Sequence, residues 1–255
     1  MSTYSELGQA LDKLLRLKIS PLGIKLFTKV EDVPKEFEVI ETVCTLCQII
    51  GMARYHEKAV AATQTAATAC AMGGVSLGFY PPPDDVVDGT RNAGVWAETI
   101  EATRKIVENR IFIEQGKFTA VGIAPLNIMP VEPDIVQIWA TPVQMLSLVY
   151  AQIWDGGDPV ELKTNGHGAS CNEALTIPYV TGEIRLTLAD VGDRRFAYAA
   201  DDEMIMGIPI SRLDRLVDNL KASYKGAYKF PYAYYFHPIA PGALQRCTAD
   251  VQNKK

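Results

Sequence analysis

The stretch DIVQIWATPVQMLSLVYAQIW, residues 134–154, leads from a β-strand straight into an α-helix. Its first seven residues are rich in β-branched and aromatic side chains, which favour a strand. Thr141 and Pro142 then suit the N-cap and first turn of a helix, which the mostly apolar residues that follow continue to Trp154. The stretch therefore predicts a strand–helix unit, which is the basis of an α/β or α+β fold.

The rest of the chain alternates between strand and helix patterns in the same way. Hydrophobic periodicity predicts helices at 4–18, 42–56, 94–110 and 211–224. It predicts further strands at 23–28, 58–64, 117–126, 159–164 and 203–210, and a hairpin with arms at 183–189 and 195–201. We expect a single domain over residues 1–255, with mixed sheets and helices on their outer faces.

Two parts of the chain repeat an order of elements, which predicts a weak internal duplication. The segment KAVAATQTAATAC (58–70) matches PVELKTNGHGASC (159–171) in phase, so that Cys70 falls opposite Cys171. Half-repeats at about 20–126 and 134–224 would then pack around a pseudo-twofold axis. Strand–helix alternation is common, so a chance match is the alternative.

The composition is that of a soluble globular protein and disfavours several classes of function. Of 255 residues, 48% are hydrophobic and 22% charged, and the net charge is −5. An acidic chain without a basic run is a poor partner for nucleic acids or for anionic membrane surfaces. The N-terminal segment carries charges throughout, unlike a signal peptide, and no apolar run is long enough for a transmembrane helix. We therefore expect a cytoplasmic protein with a small-molecule partner.

Four of the five cysteines stand in segments that suit thiol chemistry or metal binding. Cys44 and Cys47 form a CxxC pair in the first turn of a predicted helix, whose positive N-terminal end is expected to lower a thiol pKa. Cys70 and Cys171 each lie among small residues, which allow a bulky cofactor to approach. The odd number of cysteines and the expected reducing compartment argue against disulfides. Cys247 lies in a polar tail and is not expected to take part.

Four thiols from three separate segments suit an iron–sulfur cluster or a Cys₄ zinc site. One CxxC with two distant single cysteines follows no fixed spacing rule, so buried, metal-free cysteines are the alternative. If only Cys47, Cys70 and Cys171 bind a cubane, one iron stays open and can bind a substrate hydroxyl or carboxylate as a Lewis acid. If Cys44 is the fourth ligand, the cluster is closed and suits electron transfer or a structural role. The sequence leaves both possibilities open.

His167 is the candidate for proton transfer. It lies between two glycines in KTNGHGASC (163–171), four residues before Cys171, a setting unlike that of a core helix residue. An imidazole there can serve as a general acid or base, as a ligand or as an oxyanion donor, and a surface turn is the structural alternative. The segment ADVGDRRFAYAADDEM (189–204), by contrast, is interpreted as a solvated hairpin turn.

Several segments, taken together, resemble the DUF169 family, a group of uncharacterised proteins from archaea and anaerobic bacteria. The likeness rests on GIKLF, the Cys47 region, ACAMGGVSLGF, KTNGHGASC, DVGDRRFA and DEMIMGIP, and it spans about residues 21–232. The family supplies no activity, but its distribution implies anaerobic metabolism, which suits an oxygen-sensitive cluster. Its cysteine positions look like those of Cys47, Cys70 and Cys171.

These observations and the resemblance predict an iron–sulfur protein of anaerobic metabolism, with [4Fe–4S] favoured over zinc. Cys47, Cys70 and Cys171 are the expected ligands, Cys44 is the candidate for a fourth, and His167 is the expected catalytic residue. The activity would be that of an iron–sulfur-dependent lyase or oxidoreductase on a small polar or aromatic substrate. A homodimer is compatible with the apolar helix surfaces. The rival prediction is a non-enzymatic binding or accessory protein with metal-free cysteines.

Overall fold

The computed structural model describes residues 3–67, 69–225 and 229–232, which form a mixed α/β unit. The strands are β1 (Leu22–Phe27), β2 (Glu38–Ile40), β3 (Val60–Thr63), β4 (Ala120–Pro125), β5 (Ile135–Ala140), β6 (Arg185–Leu188) and β7 (Met204–Pro209). The α-helices are α1 (Tyr4–Leu15), α2 (Leu46–His56), α3 (Ala71–Ser76), α4 (Asp84–Val87), α5 (Ile100–Glu108), α6 (Pro142–Ile153), α7 (Ile177–Thr181), α8 (Val191–Phe196) and α9 (Ile210–Ser223). A π-helix covers Ala169–Thr176. None of the helices in the described ranges has the length and apolar character needed to span a bilayer.

The seven strands of the described chain form one sheet in the order β2-β3-β4-β1-β5-β7-β6. Every neighbouring pair is antiparallel except β2 and β3, which are parallel. The prediction of a mixed sheet is therefore confirmed. The strand–helix unit of residues 134–154 is β5 followed by α6, and Thr141 with Gln144 forms the capping box that starts this helix.

Two predicted strands are wrong. Residues 159–164 form no strand in the described structure, and most of them are exposed, so they lack the apolar face that a strand would bury in this sheet. The expected second hairpin arm at 195–201 begins as part of helix α8. This helix forms because Asp190 accepts a hydrogen bond from the amide of Asp193 while Asp193 reaches back to the amide of Asp190.

The two faces of the sheet carry separate cores. In β5, Ile135 and Trp139 face a core that includes α2 and the π-helix, whereas Val136 and Ile138 face a core formed with α1, α6 and α9. This alternation is the two-residue period of a strand that is covered on both sides. We call the side with α2 and the π-helix the cysteine face, because Cys44 and Cys171 lie in its core.

The predicted internal duplication is not shown. The strands β3-β4-β1 and β5-β7-β6 do run in mirrored order, and β1 and β5 meet antiparallel at the centre. A twofold axis that relates antiparallel neighbours stands perpendicular to the sheet, so it would keep the two equivalent helices on one face. Instead α2 packs on the cysteine face and α6 on the opposite one. The sequence match also pairs β3 with 159–164, which is not a strand.

The π-helix docks on the sheet through two features of the central strands. A Cβ at Gly207 of β7 would lie 2.6 Å from the carbonyl carbon of Ala174, so only glycine permits this close approach. On β5, the buried Gln137 donates from Nε2 to the carbonyl oxygens of Ser170 (2.6 Å) and Ala174 (3.2 Å). Trp139 in turn donates to Gln137 Oε1 at 3.3 Å and fixes the orientation of the amide.

We expect Gly207→Ala to lower the free energy of unfolding by at least about 2 kcal/mol, because its methyl group would collide with the π-helix backbone. Urea denaturation followed by circular dichroism measures this change. Gly156→Ala is the matched control, since a Cβ there meets only an Asp158 side-chain oxygen at 3.6 Å. Equal stability of the two variants would mean that the π-helix does not dock on β7 in this way.

Candidate functional site

Helix α2 presents Cys47 in its first turn and leaves Cys44 outside the helix. Thr45 is the N-cap and forms a capping box with Gln48, so the helix begins at Leu46. The expectation that both cysteines share the first turn is therefore wrong. Cys44 is buried in the core of the cysteine face, where its backbone N–H donates to the carbonyl of Ala66 at 2.9 Å.

The far end of α2 is anchored by a buried arginine. Arg54 donates to both carboxylate oxygens of Glu203, at 2.9 and 2.8 Å, and to the carbonyl of Ala197 at 2.7 Å. Its guanidinium lies 4.0 Å from the ring centroid of Trp139. These contacts fix α2, and with it Cys47, against β5 and the segment before β7.

Cys171 lies in the core of the cysteine face with Cys47 packed against it, and Cys70 lies near enough for its charge to act on both; we call the three residues the cysteine triad. Cys70 immediately precedes α3, and Cys171 lies in the π-helix. Their thiols are close enough to alter one another's ionisation: Cys171 and Cys70 both raise the pKa of Cys47, and Cys70 raises the pKa of Cys171. The sulfur of Cys47 lies 3.9 Å from the hydroxyl of Ser170, the residue before Cys171.

Cys44 stands apart from the triad. Burial alone raises the pKa of Cys44, with no contribution from the other thiols. Its role as a fourth ligand stays a prediction. Cys247 lies outside the described residues.

The thiol pKa values of Cys47 and Cys171 differ from those expected from the sequence. Burial raises the pKa of Cys47 well above its usual value, and the charges of Asp193 and Cys171 raise it further. Burial also raises the pKa of Cys171, with Arg110 acting in the opposite direction. The predicted lowering at the helix N-terminus is wrong for Cys47, because desolvation and nearby carboxylates outweigh the helix dipole. These two thiols are therefore protonated in the metal-free protein.

Two carboxylates of the α8 capping box hold the start of the π-helix. Asp190 Oδ2 accepts from the amides of Gly168 and, at 3.0 Å, of Ala169. Asp193 accepts from both the amide and the hydroxyl of Ser170. Burial, and then the charge of Asp190, raises the pKa of Asp193 to about 6. The sequence analysis placed these residues in a solvated turn, although the D-x-x-D spacing of a capping box was a usable signal.

His167 lies at the edge of this region. Gly166 and Gly168 on either side have φ values of 69° and 74°, which side chains rarely adopt, so the glycines allow the turn. The imidazole stacks on Trp96 with ring centroids 5.1 Å apart and planes 22° apart. The backbone carbonyl of His167 accepts a hydrogen bond from Arg110 Nη2 at 3.3 Å. His167 as a proton-transfer residue stays a prediction.

Arg110 is the residue that the sequence analysis missed. It is only 7% exposed, and its Nε and Nη1 atoms are buried without a hydrogen-bond partner in the described structure. A Cβ at Gly168 would lie 3.6 Å from both Arg110 Nη1 and Cys171 Sγ, so the guanidinium borders the triad. Burial lowers the pKa of Arg110, and the charges of Cys171 and Glu173 oppose this effect. No sequence motif identifies such an arginine, because the position of its side chain depends on where the end of α5 lies in the folded protein.

The triad does not form a site for a single metal ion as it stands. Across the described ranges, no three Cys, His, Asp or Glu side chains come close enough together to hold one ion. Ligands of one zinc ion all lie within bonding distance of the same atom, whereas ligands of a cubane bind different irons and stand further apart. The thiols of the triad therefore influence one another's ionisation without forming a site for a single ion.

A separate cavity of about 430 Å³ lies beside α6, α9 and β6. Its lining includes Gln152, Arg185, Arg215 and Asp155, and no cysteine. Arg215 is paired with Asp155 across its mouth. The cavity is therefore distinct from the triad, where the reactive groups of the cysteine face are gathered.

A mixed α/β sheet that carries three thiols, of which Cys171 is buried, beside the carboxylates of Asp190 and Asp193 defines the structural class. The sequence matches the DUF169 family, described as "Uncharacterised ArCR, COG2043", over residues 10–219. The chain therefore belongs to the DUF169 family. It is also similar to the uncharacterized protein MJ0308 of Methanocaldococcus jannaschii, with 25% identity over 219 residues that cover 85% of this chain and 93% of the relative. No solved structure matches the chain.

We expect the stability of the metal-free protein to fall as pH rises through about 6, the pKa of Asp193. An unfolded aspartic acid titrates near 3.9, so between these values the folded chain holds a proton that the unfolded chain has lost. This difference costs about 3 kcal/mol of unfolding free energy by pH 7. Urea denaturation between pH 4 and pH 7.5 measures it.

Asp193→Asn should remove this fall, because the amide does not titrate. Asp201→Asn, at a fully exposed carboxylate, should retain it. If Asp193→Asn keeps the wild-type pH dependence, Asp193 is not the group that titrates.

Proposed function

We propose that this protein binds a [4Fe–4S] cluster through Cys47, Cys70 and Cys171 and acts as a cytoplasmic iron–sulfur protein of anaerobic metabolism. The observation that carries the proposal is the convergence of these three thiols from segments far apart in sequence. They come from the first turn of α2, the residue before α3 and the π-helix. Packing alone gives no reason for three cysteines to meet beside two carboxylates and an arginine.

The raised thiol pKa values fit a site that is completed by binding. Burial holds Cys47 and Cys171 in the protonated form, and a cluster binds thiolates, so loading must displace their protons. The carboxylates of Asp190 and Asp193 are the candidate acceptors for such protons, since both raise the pKa of Cys47. Arg110 supplies the positive charge that offsets the resulting thiolates.

Three ligands favour an enzyme over a simple electron carrier. A cubane with three cysteine ligands supplies an open iron, which is a Lewis acid. Cys44 is buried in the neighbouring core, and burial alone raises its pKa, without an effect of the triad's charges. We therefore do not assign it as a ligand in this proposal. His167 is the residue that would accept or donate a proton to a small polar or aromatic substrate in a lyase or oxidoreductase reaction.

We expect anaerobic reconstitution to give a brown protein with about four iron and four sulfide per chain. Cys47→Ser, Cys70→Ser and Cys171→Ser should each lose most of this iron, because each removes one of three anchors. Cys44→Ser should retain it. Iron and sulfide analysis with visible absorbance measures the outcome.

A colourless, iron-free wild-type protein would contradict the proposal and favour the rival, a binding or accessory protein with metal-free cysteines. Loss of iron in Cys44→Ser, with circular dichroism unchanged, would instead identify Cys44 as the fourth ligand of a closed cluster. Binding of one zinc and no iron would replace the cluster by the zinc alternative.

His167→Gln should leave the iron content unchanged, because the imidazole stacks on Trp96 and is not one of the three anchors. The reduced cluster's EPR spectrum should keep its intensity in this variant. Loss of the cluster in His167→Gln but not in Trp96→Phe would make His167 a ligand rather than a proton-transfer residue.

A further inference from the structure

Arg110 is a buried cation that pairs with no anion among residues 3–67, 69–225 and 229–232. Its Nη2 donates to the backbone carbonyl of His167, while Nε and Nη1 find no partner in this part of the chain. Buried guanidinium groups are normally paired with a carboxylate, a phosphate or several carbonyls, because a lone charge in a protein interior is poorly solvated. The free N–H groups therefore mark a place for an anion.

The carboxylates near Arg110 are engaged elsewhere. Asp190 accepts from the amides of Gly168 and Ala169 at the start of the π-helix. Glu173 accepts from the hydroxyl of Thr164 at 2.8 Å, the amide of Asn165 at 2.6 Å and the hydroxyl of Thr187. Their charges reach Arg110 electrostatically, but their hydrogen-bonding positions serve the loop and the π-helix.

We infer that Arg110 binds the carboxylate of a small ligand at the cysteine triad, which names the substrate class of the proposed function and rests on it. A carboxylate is planar, and the guanidinium fork can bind it with two parallel hydrogen bonds. A Cβ at Gly168 would lie 3.6 Å from both Nη1 and the Cys171 sulfur, so the guanidinium and this thiol lie on either side of the same glycine. A ligand held there lies beside the triad.

The aromatic rings next to Arg110 indicate what the rest of the ligand resembles. Its guanidinium carbon lies 5.0 Å from the ring centroid of Trp96, and the imidazole of His167 stacks on the same indole. Both rings are half-buried and border the guanidinium on the side of the loop. A flat, unsaturated or aromatic body attached to the carboxylate would pack against them.

The charge around the site favours a carboxylate over a phosphate. Asp190, Asp193 and Glu173 already place three acidic groups in this region, against one guanidinium. Because these acidic groups disfavour further negative charge, a ligand with a single negative charge suits the region better than a phosphate, which carries more charge and commonly needs more donors.

Titration calorimetry of the full-length, cluster-free protein with reduced thiols tests this inference, with benzoate as the probe and benzamide as its neutral analogue. We expect benzoate to bind about tenfold or more tightly than benzamide. Arg110→Gln removes the charge and Arg110→Lys removes the planar fork, so each should weaken benzoate by about tenfold and leave benzamide unchanged. Arg104→Gln, at an exposed arginine of α5, the helix that ends just before Arg110, is the matched control.

Equal binding of benzoate and benzamide by the wild type would overturn the inference even if Arg110→Gln failed to fold. Wild-type affinity for benzoate in Arg110→Lys would also overturn it. In reconstituted protein, benzoate should change the EPR spectrum of the reduced cluster, and the change should be lost in Arg110→Lys. An EPR spectrum that does not change when benzoate is added would indicate that Arg110 balances the charge of the cluster and does not bind a ligand beside it.

The two proposals fail separately. A protein that takes up iron but does not distinguish benzoate from benzamide keeps the cluster and loses the carboxylate site. A protein that binds benzoate through Arg110 but takes up no iron keeps the anion site and loses its placement beside a cluster.

Discussion

The contact between the π-helix and the missing side chain of Gly207 is the constraint on which the cysteine face depends. The backbone around Ala174 comes so close to β7 that any Cβ at position 207 would overlap it. Gln137 then fixes the position of the π-helix over the sheet by donating hydrogen bonds to two of its carbonyls. Once the π-helix lies in this place, Cys171 faces Cys47 of α2 and Cys70 before α3.

The charged and ionisable groups of the site alter one another's ionisation and do not act independently. Two carboxylates hold the first turn of the π-helix, and the same carboxylates make the thiol of Cys47 harder to ionise. Arg110 works against that effect at Cys171. In a buried region such opposing charges interact strongly, because little water screens them. The thiols of Cys47 and Cys171 are therefore neutral beside a buried guanidinium.

The site was only partly predictable from the sequence. The spacing of Cys47, Cys70 and Cys171 and their small neighbours indicated a shared role, although no spacing rule proved that they meet. Asp193 looked like a turn residue because its neighbours are charged and the segment starts after a short strand. Arg110 carried no local signal at all. The last two residues gain their roles from contacts more than twenty positions away, and local patterns do not encode such contacts.

What the sequence determined by itself was the set of longer elements: the apolar strands, the amphipathic helices and the capping boxes at Thr45 and Thr141 follow from local periodicity and hydrogen bonding. The short elements, among them α8 and the π-helix, were not predicted. Tertiary structure alone decided which face each helix covers. It thereby separated α2 from α6, against the apparent duplication, and buried Arg110 beside the cysteines. The physical reason is that a helix's pattern fixes which of its sides is apolar, whereas the sheet face that buries this side depends on how the connections cross the whole sheet.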